Sequence, residues 1–320
     1  LTLEKAKMPR GVKPILANST KEMAQEKFLG AIASGCTINE AAARADRTAK
    51  ACENWITLDV EFRVRYDKAR QAAKAKWGRT KEELETISFE DFSETFLFHK
   101  PYWHHLQWID VLEGREPRDL HPAQTYEAGR KNRLLVNTPP HHGKSATITI
   151  NYVVYRICMD PNVRIKIVSK NESMAKQFLY AIKTRLTHPR FAALQAAYAP
   201  LNPATGVRGW RETADTWSTT MLYLGGDEKD SGEKDPTVQA LGMGGFIYGS
   251  RSNLIILDDC IVGSNAHQWE QQMNWLNREV DSRLGRTGKL LIVGTRISQI
   301  DLYRELRNGD NFSAGKSPYT

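Results

Sequence analysis

Cysteine is scarce in this chain, and long apolar runs are lacking. The 320 residues include four cysteines, which stand far apart and form no Cys-x-x-Cys pair, so neither a zinc knuckle nor a disulfide framework is indicated. No apolar run reaches the ~20 residues that a membrane span requires. The opening residues, LTLEKAKMPRGVKP, lack the apolar core of a secretory signal. The sequence therefore predicts a soluble, non-exported protein with reduced thiols and no membrane partner.

The positive charge is distributed unevenly along the chain. The net charge is +8, and residues 1–80 carry 16 Lys and Arg against 9 Asp and Glu, whereas residues 81–320 carry 29 against 28. A basic excess confined to one end is typical of a nucleic-acid-binding appendage. The alternative is a solvated basic tail without a partner.

The first quarter of the chain has a helical pattern. Residues 1–19 form a basic arm without periodicity, and residues 20–79 form a small domain whose first helix begins near Thr20 and ends near Ser34. Candidate capping residues mark the two next helices: Thr37 with Glu40 as a capping box, then Asp46 and Thr48. The spacing predicts a helix-turn-helix.

The segment SGCTINEAAARADRTAKACENWITLDVEFRVRYDKAR resembles the small helix-turn-helix domains of phage packaging proteins and transposases. In that family the third helix enters the major groove of DNA, which implies that Arg47, Lys50 and Asn54 contact DNA. The alternative is a helical domain that binds only protein.

The remaining residues, 80–320, predict an α/β domain. The composition turns acidic in TKEELETISFEDFSET, which marks a boundary near residue 80. Short apolar runs then alternate with helical stretches, and four of these runs are strand-like: RLLVN at 133–137, VRIKIVS at 163–169, NLIILDD at 253–259 and KLLIVGT at 289–295. This alternation predicts an α/β fold with a largely parallel central sheet.

The strand RLLVN leads directly into the turn TPPHHGKS, which is the context that a P-loop requires. Backbone N–H groups of such a loop and of the helix after it receive phosphates, its Lys reaches the outer phosphates, and its hydroxyl ligates Mg²⁺. The predicted nucleotide-binding residues are Thr138, Pro139, Pro140, His141, His142, Gly143, Lys144 and Ser145, with ATP and Mg²⁺ as cofactors.

Two features of this loop are unusual. Thr138 stands where the usual pattern has its first Gly, and Pro139 with Pro140 stiffens the turn. The segment after Ser145, ATITINYVVYRIC, is rich in β-branched residues, whose local preference is for a strand. We nevertheless predict a helix, because a P-loop needs the converging N–H groups of a helix start.

The run LIILDDC ends a buried strand in two carboxylates, which is a Walker B pattern. Asp258 is predicted to hold Mg²⁺ together with Ser145, and Asp259 to orient or deprotonate the attacking water. Taken alone, the Asp-Asp pair is also typical of a strand-ending turn.

Residues 90–310 resemble the ATPase domain of the large terminase subunit of tailed phages. Three blocks carry the resemblance: TPPHHGKS, GMGGFIYGSRSNLIILDD and SRLGRTGKLLIVGTRISQIDLYREL. It implies a RecA-like P-loop NTPase fold for this domain, and that the chain hydrolyses ATP to move double-stranded DNA into a procapsid. It further implies a portal protein and a small terminase subunit as partners, a homo-oligomeric ring when active, and the host cytoplasm as location.

The resemblance also implies roles for individual residues. Thr295 and Arg296 would couple hydrolysis to DNA movement. The alternative for Arg296 is a salt-bridged residue at a strand end. The segment FLFHKPYWHHLQWIDVLEG is similar to the family's adenine-recognition segment, which implies that Gln107 bonds the adenine and Trp103 stacks on it. His104 and His105 lack metal-ligand spacing and are predicted to be packing or surface residues.

Many family members carry Arg at the position of His141, and a neutral imidazole supplies no permanent charge. We therefore expect an arginine finger from a neighbouring subunit, with Arg251, Arg283 and Arg286 as candidates. The residues between the predicted motor domain and Thr320 are too few for the family's C-terminal nuclease domain, so DNA cutting is not assigned to these residues. Two other functions stay open: a helicase or remodeller, and a DNA-binding regulator that only senses nucleotide.

Overall fold

The computed structural model describes residues 15–33, 36, 38–77, 84–200, 208–210, 217–224, 235–245 and 251–320. The chain divides into two compact units, Leu1–Leu84 and Glu85–Thr320. The expected capping residue Thr37, the arm up to residue 14 and part of the Gly-rich run before residue 251 lie outside the described residues. All four cysteines are buried with free thiols.

The first unit is helical. Its helices are α1 (Ile15–Ala33), α2 (Ile38–Arg44), α3 (Ala49–Leu58) and α4 (Val60–Trp77). An aromatic core joins three of them, because the ring of Phe28 lies 6.2 Å from Trp55, 6.1 Å from Phe62 and 6.2 Å from Tyr66. Clustering of these rings buries the apolar faces of α1, α3 and α4.

One helix boundary differs from the sequence prediction. Helix α1 begins at Ile15 and not at Thr20, so the last part of the expected arm, residues 1–19, is helical. Pro14 favours a helix start just after it, and the apolar residues Ile15 and Leu16 extend the helical pattern backwards. The expected cap at Thr48 is confirmed, since its hydroxyl accepts a hydrogen bond from the Ala51 N–H at 3.3 Å.

The proposed DNA-contacting residues lie on the exposed surface of this unit. Arg47, Lys50 and Asn54 are all solvent-exposed, and Lys50 forms an ion pair with Glu53 at 3.6 Å. A surface pair of this kind is weak and leaves Lys50 free to exchange partners. The groove-reading role of α3 therefore stays a prediction.

The second unit is built on a six-stranded sheet, which confirms the predicted α/β class. Its strands are β1 (Arg133–Asn137), β2 (Ile165–Ser169), β3 (Met221–Leu222), β4 (Val238–Gly242), β5 (Ser252–Asp258) and β6 (Leu284–Gly294). The order across the sheet is β1-β6-β5-β2-β4-β3, and every pairing is parallel except β3 with β4.

Helices precede, connect and follow these strands. They are α5 (Phe89–Leu97), α6 (Trp103–Leu112), α7 (Val153–Met159), α8 (Glu172–Thr187), α9 (Ala192–Tyr198), α10 (Trp269–Trp275) and α11 (Leu302–Arg307). None of the helices within the described ranges is both long and apolar enough to cross a membrane.

The parallel pairing brings four strand ends to one edge of the sheet. Asn137 is in register with Gly294, Val293 with Asp258, and Asp258 with Ser169. In open α/β sheets, ligands bind outside the carboxyl ends of the strands. The residues that follow β1, β5 and β6 therefore meet at the edge where a ligand is expected.

The β-branched segment after Ser145 is helical, as predicted, but its first part is a π-helix. Residues Ser145–Tyr152 form π-helical turns that continue as α7. Ile148, Thr149 and Val153 are fully buried, so packing of these side chains against the sheet outweighs their local preference for a strand. π-Helical turns often occur at functional sites, and this one opens directly on the P-loop.

Candidate functional site: the P-loop and two strand-end carboxylates

The P-loop is tied to the end of β6. The Thr138 N–H donates to the Gly294 carbonyl at 3.1 Å, and the Thr295 hydroxyl donates to the Thr138 carbonyl at 3.0 Å. Within the loop, His141 and Gly143 adopt the left-handed region, with φ of +66° and +71°. Thr138 does not adopt it, which explains why the usual first glycine of the pattern can be replaced there.

Lys144 points inward from the loop. Its buried ammonium group lies 3.1 Å from the Thr295 Oγ1 and 3.1 Å from the Asp259 Oδ2. The carboxylate compensates the lysine charge, which would otherwise be costly to bury. Lys144, Thr295 and Asp259, separated by up to 151 residues in sequence, thus form one contact group.

Asp258 is fully buried at the end of β5. The Ser145 hydroxyl donates to its Oδ1 at 3.0 Å, and the Thr149 hydroxyl donates to its Oδ2. Burial raises the pKa of the Asp258 carboxyl to about 6, and the adjacent Asp259 charge adds to the rise, while the two hydroxyl donors act against it. A carboxylate and a hydroxyl oxygen side by side fit a hard cation such as Mg²⁺, which prefers oxygen ligands.

Asp259 turns away from the strand. Its φ of +45° lies in the left-handed region, and its N–H donates to the Val293 carbonyl at 2.9 Å. This backbone turn leaves Asp258 buried and directs the partly exposed Asp259 carboxylate to Lys144. The two neighbouring carboxylates therefore have different surroundings, as distinct roles require.

Thr295 and Arg296, expected to act together, point to different partners. Whereas Thr295 joins the P-loop, the Arg296 guanidinium donates to the carbonyls of Ser298 and Gln299 at 3.2 and 3.0 Å and lies 3.7 Å from Asp301 Oδ1. Arg296 is thus held by its own loop, which is the salt-bridged arrangement that the sequence left open. Its coupling role stays a prediction.

The amide of Gln107 is engaged within the protein. Its nitrogen donates to the carbonyls of Arg118 and Asp119 at 2.7 and 2.9 Å, and its oxygen accepts from Gln124 at 2.9 Å. Both amide hydrogens are used, so an adenine contact would have to use the remaining lone pair of the oxygen. Trp103 has about half of its surface exposed, and its stacking role stays a prediction.

The three candidate arginines lie at the amino ends of strands β5 and β6. Arg251 directly precedes β5, Arg283 directly precedes β6, and Arg286 is the third residue of β6. The P-loop and both Asp residues are at the carboxyl ends of the strands. These arginines therefore lie away from this chain's own P-loop, and their role as an arginine finger stays a prediction.

The sequence missed a contact between His105 and the P-loop. His105, near the start of α6, is buried, and its Nε2 lies 2.8 Å from the His142 carbonyl oxygen. His104 Nε2 lies 3.3 Å from the same oxygen, and His142 itself bonds the Pro140 carbonyl through Nδ1 at 2.9 Å. The expectation that His105 is packed is correct, but nothing local in the sequence indicates a partner 37 residues away.

Burial lowers the pKa of His105 to about 4, and the nearby imidazoles of His104, His99 and His142 act in the same direction. The unfolded chain, with an ordinary histidine pKa near 6.5, therefore binds the proton more tightly. Stability contributed by neutral His105 is complete above pH 6.5 and is lost as the pH falls towards 4. We expect a loss of about 2–3 kcal/mol in unfolding free energy between pH 7 and 4.5.

Denaturant titrations of the wild type and of His105→Gln at both pH values measure this loss. The variant lacks the imidazole, so its stability should fall by that much less over the same range. Parallel pH profiles for the two proteins would show that His105 does not titrate in this way.

Comparison with known proteins gives a related sequence. No protein-family model matches the chain. It is 29% identical over 195 residues to the large terminase subunit of Enterobacteria phage T3, a match that covers 60% of this chain and 30% of that protein. Among solved structures, the crystal structure of the HK97 bacteriophage large terminase is similar to this chain with a TM-score of 0.44 and 13% identity, over 72% of this chain and 42% of that one. The resemblance drawn from the motifs is thus confirmed by sequence comparison, and the match spans less than a third of the T3 protein.

Proposed function

We propose that this chain, related in sequence to the phage large terminase subunits, is the ATP-hydrolysing motor portion of a machine that moves double-stranded DNA into a procapsid. One observation carries the proposal. Lys144 and Ser145 of the P-loop contact Asp259 and Asp258, respectively, at the carboxyl edge of a parallel sheet. A phosphate-binding loop, a cation-binding carboxylate and a second carboxylate for water are the parts that ATP hydrolysis requires.

Lys144 would change partners during the reaction. In the structure its ammonium group neutralises Asp259 at 3.1 Å. When phosphates occupy the loop, they would compete for the same ammonium group, because phosphate carries more negative charge than a carboxylate. Asp259 would then be freed to accept a proton from the attacking water.

Mg²⁺ would be held by Ser145 and Asp258, whose oxygens already lie side by side. When bound, the cation would neutralise charge that develops on the phosphate oxygens. Ser169 supports this arrangement, since its hydroxyl donates to the Asp258 carbonyl at 2.9 Å. Thr295 supports the opposite side of the loop, and with Arg296 it would pass changes at the phosphates on to the loop that follows β6.

The partners follow from the motor function. Double-stranded DNA is the cargo, and the first unit, with Arg47, Lys50 and Asn54 exposed, would be a contact for it. A portal protein and a small terminase subunit would complete the machine in the host cytoplasm. A ring of several copies would place an arginine of one copy, with Arg251 the first candidate, near the phosphates of the next.

Hydrolysis of ATP with Mg²⁺, measured with and without double-stranded DNA, tests the function. We expect turnover that DNA stimulates, and a loss of about 10²–10³-fold in kcat for Lys144→Ala, since the charge that stabilises the transferred phosphoryl group is removed. Lys176→Ala is the matched control, because this half-buried lysine pairs with Glu172 one turn earlier on α8 and should leave turnover unchanged.

Two results would redirect the proposal. Wild-type protein that binds ATP without hydrolysing it would favour a nucleotide-sensing regulator. DNA-stimulated hydrolysis accompanied by strand separation, with no movement of intact duplex, would favour a helicase or remodeller.

A further inference from the structure

His105 lies where helix α6 meets the P-loop, and both of its ring nitrogens are engaged. The backbone N–H of Tyr102 donates to Nδ1 at 3.2 Å. A backbone N–H can only donate, so Nδ1 carries no proton. The neutral ring must then carry its hydrogen on Nε2, which donates to the His142 carbonyl at 2.8 Å. The two bonds together fix the tautomer and the ring orientation.

The ring also fills the space beside Gly143. A Cβ atom at this position would lie 2.8 Å from Nε2 and 3.0 Å from Cε1 of His105. Gly143 therefore meets two requirements, a left-handed φ of +71° and the close approach of an imidazole. His105 thus contacts the loop by packing and by a hydrogen bond at the same peptide.

That peptide faces in a defined direction. The bond between His142 and Gly143 is trans, so its C=O and its N–H point in opposite directions. With the carbonyl turned to His105, the Gly143 N–H is turned away from α6. N–H groups of a P-loop are its phosphate donors, and a reversed peptide would present an oxygen in place of a donor.

We infer that His105 is a positioning residue of the P-loop, whose Nε2–H holds the peptide between His142 and Gly143 in the orientation that presents its N–H to a nucleotide phosphate. The inference rests on the proposed function in so far as ATP is the ligand. The loop orientation itself is a property of the protein without nucleotide.

Three substitutions at position 105 distinguish the two hydrogen bonds that the imidazole ring makes. The amide nitrogen of Gln reaches the place of Nε2, so His105→Gln retains a donor for the His142 carbonyl. The amide oxygen of Asn reaches the place of Nδ1, so His105→Asn retains only the acceptor for the Tyr102 N–H. His105→Phe retains the ring volume and neither bond.

Equilibrium binding of a fluorescent ATP analogue with Mg²⁺ to the full chain is the first measurement. We expect binding about tenfold weaker for His105→Phe and His105→Asn, and within about threefold of wild type for His105→Gln. Hydrogen–deuterium exchange of residues 138–145 without nucleotide is the second measurement. Exchange should quicken about tenfold in the Phe and Asn variants and little in the Gln variant.

The opposite ranking, with Asn like wild type and Gln impaired, would show that His105 only caps α6 and would overturn the inference. Wild-type behaviour of all three variants would also overturn it. Wild-type protein that does not bind the analogue would contradict the proposed function. The hydrogen–deuterium exchange of residues 138–145 needs no nucleotide, so it tests the positioning role of His105 in that case too.

Discussion

Asp259→Asn is expected to lower kcat for ATP hydrolysis about 10²–10⁴-fold, the range for removal of a general base, with ATP affinity kept within a few fold. Asn retains the size of Asp and tolerates the left-handed backbone, in which Asp259 has a φ of +45°. The substitution therefore removes a negative charge and a proton acceptor without a backbone penalty. Single-turnover hydrolysis and equilibrium ATP binding, measured on the same preparation, separate the two effects.

The structure adds an expectation about affinity. Asp259 pairs with the Lys144 ammonium group at 3.1 Å and would compete with the phosphates for it. Removal of this competitor should leave ATP binding unchanged or slightly tighter, whereas Lys144→Ala should weaken it. Weaker binding by Asp259→Asn would contradict the exchange of partners proposed for Lys144.

Asp46→Asn is the matched control for this substitution. Asp46 also has a left-handed backbone, with φ of +55°, and it lies in the first unit, outside the P-loop network. The same chemical change at the same backbone conformation should leave basal turnover unaltered. Retention of kcat within tenfold by Asp259→Asn would mean that another residue activates the water.

Gly294→Ala is expected to destabilise the second unit by about 3 kcal/mol, the upper part of the usual range for an overpacked core. A Cβ atom on Gly294 would lie 2.1 Å from the hydroxyl oxygen and 2.3 Å from Cζ of Tyr303. The Tyr303 ring is buried on α11, so a shift of the ring would disturb its packed neighbours. Thermal unfolding should show a midpoint lower by roughly 6–12 °C, given 2–4 °C per kcal/mol for a domain of this size.

The same substitution should also weaken ATP binding. The Gly294 carbonyl accepts the Thr138 N–H at 3.1 Å, so a shift of this strand end displaces the first residue of the P-loop. Gly263→Ala is the control, because no atom of the described residues lies within 4 Å of its added Cβ, and we expect a change below about 0.5 kcal/mol. Gly294→Ala combined with Tyr303→Leu should recover part of the lost stability, and a wild-type midpoint for Gly294→Ala alone would contradict the packing of α11 on β6.

Local sequence patterns determined the strands that carry the site. The apolar run at 133–137 is β1 residue for residue, and the Asp pair falls at the end of β5 as predicted. The prediction for β5 succeeds because a strand inside a parallel sheet is covered on both faces and is an apolar run, and Leu254, Ile255, Ile256 and Leu257 are all buried. Strand β6, in contrast, begins at Leu284, five residues before its apolar run, because pairing of Ser252 with Leu284 extends it through residues that read as a turn.

The position of the P-loop was likewise predicted from the sequence. Gly143, Lys144 and Ser145 follow a strand and precede a helix, and the contact of Ser145 with Asp258 fits the shared cation site that the motifs predict. The ion pair of Lys144 with Asp259 was not predicted. Such motifs are readable because phosphate and cation binding demand fixed residue types at fixed spacing on one short segment.

Tertiary structure alone decided the surroundings of that loop. His105 meets the His142 carbonyl across 37 residues of sequence, and Thr295 meets the Thr138 carbonyl across 157 residues. The π-helical form of residues 145–152 was not predicted either. No local pattern encodes such meetings, because the register of a parallel sheet and the burial of its helices set them. The sequence thus determined which groups are predicted to bind phosphate and cation, and the packing of α6 and β6 around the P-loop decided how that loop is held.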